Sequence, residues 1–130
     1  MGTWSEGPFD NDDAADFLDE VSDGGAGVLR ETIETALRSS EPDAGDASIA
    51  VAAACLVAVG QNPALGNDLP DDTRDELTDI AGELADMKPQ AHQLLTQLLN
   101  GQSEWRELWE EEDAFDDVKA GLQPFLQALA

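Results

Sequence analysis

The fold is decided by the stretch Ile49-Ala-Val-Ala-Ala-Ala-Cys-Leu-Val-Ala-Val59, eleven consecutive residues without a polar side chain. A helix that is apolar on every side must be surrounded by protein. A buried strand is the rival interpretation, but the alanines within the run favour a helix, and Gly60 followed by Asn62-Pro63 supplies a stop. The run is about half of the ~20 residues that a membrane-spanning helix needs. We therefore predict a central buried helix.

The segments on both sides of this run are typical of amphipathic helices, because apolar residues recur there at i, i+3, i+4 and i+7. We find no persuasive strand and no internal repeat. The pattern predicts an all-α bundle of about six to seven helices in a single domain, residues 1–130. The first expected helix begins at a cap on Asp10 or Asn11, and the second spans 26–39. The third follows a cap on Asp46 or Ser48, the fourth spans 70–87 and the fifth spans 89–100. The sixth follows a cap on Ser103, and the seventh begins near Asp113 and has a break or kink at Pro124.

The charge of the chain is strongly unbalanced. It has 29 acidic and six basic residues, for a formal net charge of −23 over 130 residues, yet 42% of the residues are hydrophobic. That apolar fraction is enough for a folded globule. Nucleic acid and anionic membranes would be repelled, so neither is expected as a partner. Two interpretations of the acidity remain open: attraction to a basic protein, or solubility alone, as in a high-salt cytoplasm.

The cellular compartment is predicted from the only cysteine and from the N-terminal residues. Cys55 lies inside the apolar run, which indicates a buried thiol in a reducing environment. The segment 1–9 has neither a basic nor an apolar leader. We therefore expect a cytoplasmic protein.

A first candidate site is a cluster of aspartates that could offer oxygen ligands to a divalent metal ion: Asp10, Asp12, Asp13 and Asp16. An EF-hand loop needs glycine at its sixth position and glutamate at its twelfth. This chain has Ala15 and Val21 at those positions, so the match is poor. Capping and the helix dipole explain the same cluster as the start of a helix, and we favour that explanation.

A second candidate site is an acidic tract beside aromatic residues. It could dock a basic protein, with tryptophans as anchors and carboxylates to orient the partner. Alternatively, the carboxylates are only the solvated residues of a junction between two helices. The tryptophans would then be buried in the core. The candidate residues are Trp105, Trp109, Glu110, Glu111, Glu112, Asp113, Asp116 and Asp117.

The sequence carries no recognisable catalytic motif. It has no G-x-S-x-G, no glycine-rich phosphate loop ahead of a lysine and no H-E-x-x-H. The only histidine, His92, has no cysteine or acidic residue at ligand spacing in its own predicted helix. We therefore predict a protein that is not an enzyme and needs no cofactor.

Two stretches carry a resemblance to a known family. They are Met1-Gly-Thr-Trp4 with Gly7-Pro-Phe-Asp-Asn-Asp-Asp-Ala-Ala-Asp-Phe17, and Asn100-Gly-Gln-Ser-Glu-Trp-Arg-Glu-Leu-Trp109. In both, the chain resembles the bacterial family of the domain of unknown function 4259, although Ser5 stands where glycine is usual. The resemblance implies a compact helical domain and brings no activity or catalytic residue with it.

The sequence alone favours a protein-binding domain that holds a basic partner, in the manner of an immunity protein that neutralises a basic toxin. The alternatives are a divalent-metal-binding protein that uses the aspartate cluster, and a protein whose acidity serves only solvation. The oligomeric state is not predicted.

Overall fold

A computed structural model describes residues 12–38, 43–66, 69, 71–101 and 104–130. These residues form eight α-helices and one short 3-10 helix and contain no strand, so the predicted all-α class is confirmed. The elements are α1 (Asp12–Gly24), α2 (Ala26–Arg38), α3 (Ala44–Gln61), the 3-10 helix (Pro63–Gly66), α4 (Asp71–Asp79), α5 (Ala81–Ala85), α6 (Lys88–Asn100), α7 (Glu104–Glu111) and α8 (Phe115–Leu129).

The centre of the bundle is α3, which packs against each of the other seven α-helices described. Every residue from Ala50 to Val59 is buried. Alanine side chains are short, so the neighbouring helices approach the α3 backbone closely on all sides. The predicted central buried helix is therefore confirmed.

The N-terminus of α3 differs from the sequence prediction. The cap is Asp43, whose Oδ1 accepts a hydrogen bond from the Asp46 backbone N–H at 2.8 Å. The predicted caps Asp46 and Ser48 are wrong, since both lie inside the helix and Ser48 is buried. Asp43 satisfies a free amide of the first turn, and the helix therefore begins before the apolar run.

Two further helix boundaries differ from the sequence prediction. The helix expected over 70–87 is divided at Ile80 into α4 and α5, so that prediction is wrong. Of the break or kink expected at Pro124, the break does not occur, because α8 continues through this residue. A proline inside a helix costs about 3 kcal/mol. In α8, Leu122, Phe125 and Leu129 remain buried around it, and each buried side chain of this kind contributes roughly 1.5–3 kcal/mol. Packing therefore outweighs the lost hydrogen bond.

The helix starts predicted at Asp10, Asn11 and Ser103 lie outside the described residues. At the other end of α1, Gly25 has a φ of 68° and its N–H donates to the Val21 carbonyl oxygen at 2.7 Å, which closes the helix. None of the helices that the structure describes is both long enough and apolar enough to cross a membrane.

Candidate protein interaction surface

The acidic tract lies where α7 turns into α8. Asp113 has a φ of 56°, in the left-handed region. Its N–H donates to the Glu110 carbonyl oxygen at 3.1 Å, and the Ala114 N–H donates to that of Trp109 at 2.9 Å. These two bonds form a Schellman motif, which satisfies the last carbonyls of α7 and reverses the chain direction. The carboxylates on both sides of this turn are therefore held on an ordered backbone.

The two tryptophans of α7 face inwards. Trp105 is 3% exposed and Trp109 is 8% exposed. The Trp105 ring meets the Phe115 ring of α8 edge-on, with 6.1 Å between centroids and 83° between planes. For these residues the core-packing interpretation is confirmed, and their rings are not presented at the surface as anchors for a partner.

Arg106 joins three helices in a way that sequence reasoning missed. Its guanidinium carbon lies 4.7 Å from the Phe115 ring centroid, within cation–π range. Nη1 donates to the carbonyl oxygens of Leu99 at 3.2 Å and Gly101 at 3.4 Å, at the C-terminus of α6 where a cation is favoured. Nε lies 3.5 Å from Oε2 of Glu110. The i, i+4 spacing of this last pair was the available sequence signal.

The predicted carboxylates are all exposed, and the structure adds others beside them. Glu104 and Glu107, on the outer side of α7, were missed. The spacing of Trp105, Leu108 and Trp109 predicts that all three share one buried face of the helix, and for Leu108 this prediction is wrong. Leu108 is 43% exposed and is the only large exposed hydrophobic residue among those described. We define the acidic surface as Glu104, Glu107, Leu108, Glu110, Glu111, Glu112, Asp113, Asp116 and Asp117.

Of the aspartate cluster at the start of α1, the structure describes the side chain of Asp16 alone. Asp10 lies outside the described residues, and for Asp12 and Asp13 only the helical backbone is described. Asp16 is exposed to solvent. Across the part of the chain that the structure describes, no group of three or more histidine, cysteine, aspartate or glutamate residues is arranged to hold a metal ion.

Cys55 and His92 lie on α3 and α6, outside the two helices that carry the acidic surface. Cys55, in α3, is fully buried, and burial raises the pKa of its thiol well above the ordinary value. A protonated thiol without solvent access is a poor nucleophile. His92 is half-buried on α6.

A known protein family accounts for almost the whole chain. The family model described as domain of unknown function (DUF4259) matches residues 2–121. The chain belongs to this family. The DUF4259 match includes the stretch Asn100–Trp109, and in this member Trp105, Arg106 and Trp109 hold α7 against its neighbours. No curated protein and no solved structure matches the chain.

Proposed function

We propose that this DUF4259 domain is a non-enzymatic, cytoplasmic protein-binding domain that holds a basic protein on its acidic surface. The observation that carries the proposal is that eight exposed carboxylates and exposed Leu108 lie on two consecutive helices and the ordered turn between them. A concrete role is neutralisation of a basic toxin such as a nuclease.

The electrostatics of this surface suit a fast encounter with a cationic partner. Opposite charges steer association and raise the rate most at low salt. The effect weakens as salt screens charges beyond the Debye length, about 8 Å at physiological ionic strength. Leu108 adds an apolar contact that salt does not screen. Binding should therefore be salt-sensitive in rate and retain a residual apolar component.

The backbone beneath the carboxylates supports the same proposal. Arg106 fixes α7 to the end of α6, and the Asp113 turn fixes the start of α8. A surface that is ordered before binding loses less conformational entropy when the partner arrives. The buried tryptophans then serve recognition indirectly, by holding the carboxylates in place.

The experiment compares capture by two variants that carry the same charge change. The test variant replaces Glu110, Glu111 and Glu112 with glutamine, and the control replaces the exposed α1 residues Asp16 and Asp19 with asparagine and Glu20 with glutamine. Each is immobilised and exposed to lysate of the source cells at low salt, and bound proteins are quantified by mass spectrometry.

We expect a basic protein whose capture falls at least about tenfold with the test variant, about 1.4 kcal/mol of binding free energy, and stays unchanged with the control. An equal loss with both variants would show that net charge alone, rather than this surface, attracts the protein. Recovery of no basic protein would defeat the proposal.

A further inference from the structure

The end of α6 carries the chain's single Asn-Gly pair, Asn100-Gly101. An asparagine followed by glycine is the one most prone to spontaneous deamidation, because no Cβ shields the backbone nitrogen of the glycine. Of the other three asparagines, two precede aspartate and Asn62 precedes Pro63, which has no backbone N–H. Asn100 is therefore the asparagine best suited to this reaction.

The way in which α6 ends explains why glycine stands at position 101. Gly101 follows the last residue of the helix, and its N–H donates to the Gln97 carbonyl oxygen at 2.8 Å. A Cβ added to Gly101 would also lie 2.8 Å from that oxygen, closer than real Cβ atoms approach. Any larger residue would therefore force the helix end to shift, and the Asn-Gly pair follows from the geometry of this end.

Deamidation of this pair proceeds through a cyclic intermediate. The Gly101 backbone nitrogen attacks Cγ of Asn100 and loses its hydrogen, which closes a succinimide ring while the side-chain nitrogen leaves as ammonia. Water then opens the ring at either carbonyl, which gives aspartate or isoaspartate and a new negative charge. Both residues are exposed, so water reaches the pair and no other reagent is needed.

Hydrogen bonds at the end of α6 oppose this reaction. The Gly101 nitrogen can attack only after its N–H leaves the Gln97 carbonyl oxygen. Arg106 restrains the same backbone, since Nη1 donates to the carbonyl oxygens of Leu99 at 3.2 Å and of Gly101 at 3.4 Å. Hydrogen bonds from a charged donor are stronger than those between neutral groups. The helix end must therefore open before the ring can close.

We propose that Asn100-Gly101 is a deamidation site whose rate is set by local opening at the end of α6, and that Arg106 restrains this opening. Helix ends open more readily than a buried core, and they do so without unfolding of the whole domain. In the unfolded chain neither set of hydrogen bonds persists, so the reaction should be fastest there. The modification goes beyond the proposed function, because it is independent of whether the acidic surface binds a basic protein.

The product alters the junction between α6 and α7. Isoaspartate places an additional carbon in the backbone between Leu99 and Gly101, whose carbonyl oxygens Arg106 binds. A carboxylate at the end of α6 also opposes the negative end of the helix dipole. Modified protein should therefore unfold at a lower denaturant concentration than unmodified protein.

The experiment follows the conversion of Asn100 in the full chain during incubation in mildly alkaline buffer, by peptide mapping with mass spectrometry. The unsubstituted protein, both folded and in guanidinium chloride, is compared with Arg106→Ala and Gly60→Ala. Gly60→Ala is the control, because it destabilises the fold through a collision with Leu84 rather than through the Arg106 hydrogen bonds. Circular dichroism verifies that each variant folds, and Arg106→Lys serves if Arg106→Ala does not.

We expect conversion to be fastest in guanidinium chloride, and at least about fivefold faster in folded Arg106→Ala than in the folded unsubstituted protein. Gly60→Ala should stay close to the unsubstituted rate. Asn100→Gln, whose longer side chain cyclises much more slowly, should keep its denaturant midpoint during the same incubation.

Three results would overturn the proposal. A folded rate equal to the rate in guanidinium chloride would show that the end of α6 gives no protection. A rate in Arg106→Ala no higher than in the unsubstituted protein would remove the role of Arg106. Equal acceleration by Arg106→Ala and Gly60→Ala would show that unfolding of the whole domain, rather than opening of the helix end, sets the rate.

Discussion

The guanidinium carbon of Arg106 lies 4.7 Å from the centroid of the Phe115 ring. The same guanidinium donates to the carbonyl oxygens of Leu99 and Gly101, so one side chain contacts the end of α6 and the start of α8 from its position on α7. The helices α7 and α8, which carry the acidic surface, meet at this junction. The position of the carboxylates therefore depends on the Arg106 guanidinium.

We expect Arg106→Ala to lower the free energy of unfolding by about 1–3 kcal/mol, since it removes hydrogen bonds from a charged donor and a cation–π contact. Arg106→Lys should recover only part of this, because an ammonium lacks the planar fork. Urea unfolding measures both. The control Lys119→Ala, at an exposed position, should change stability by less than about 0.5 kcal/mol. Equal effects at the two positions would contradict the role given to Arg106.

The left-handed backbone at Asp113 predicts a dependence on side-chain shape. Asp113→Val should destabilise the protein by about 1–2 kcal/mol, because a β-branched residue is strained at a φ of 56°. Asp113→Gly should be neutral or slightly stabilising, since glycine accepts this conformation. Asp113→Asn removes the charge and keeps the shape of the side chain. The Tm of thermal unfolding ranks the stability of the three variants. A valine variant as stable as the glycine variant would show that the turn relaxes.

The tight contact between α3 and α5 predicts opposite outcomes at two glycines. A Cβ at Gly60 would collide with the buried Leu84 side chain, whereas a Cβ at Gly82 would meet nothing within 4 Å. Gly60→Ala should cost about 1–3 kcal/mol through overpacking. Gly82→Ala, in α5, should stabilise by roughly 0.5–1 kcal/mol through helix propensity. Denaturant midpoints test the pair, and a stabilising Gly60→Ala would refute the close approach.

Burial of Cys55 predicts how stability changes in alkaline solution. Burial raises the pKa of the folded thiol, so above pH about 8.5 the unfolded chain releases this proton while the folded chain keeps it. The free energy of unfolding should therefore be unaffected by this group at lower pH and fall as pH rises, by at most about 1.4 kcal/mol per pH unit. Cys55→Ala should remove this part of the decline. If the free energy of unfolding depends on pH identically in the unsubstituted protein and in Cys55→Ala, the decline does not come from the Cys55 thiol.

Much of the candidate site was visible in the sequence, and the part that was not depends on distant contacts. The carboxylates from Glu110 to Asp117 were identified because their charge does not depend on the fold. Leu108 was placed on the wrong face, because a three-residue spacing from Trp105 does not specify how far around the helix the packed surface extends. Arg106 was missed because its partners Leu99 and Phe115 come from neighbouring helices.

The sequence by itself determined the all-α class and the buried central helix, since alanine favours a helix over a strand and a helix that is apolar on every side must be surrounded by protein. Only the tertiary structure decided that α8 continues through Pro124, since burial on both sides of the proline exceeds the cost of the lost hydrogen bond. Only the tertiary structure placed α6 beside α8, since α7 lies between them in the sequence. Local pattern fixes what each helix must bury, whereas neighbours in space fix which exposed faces form one surface.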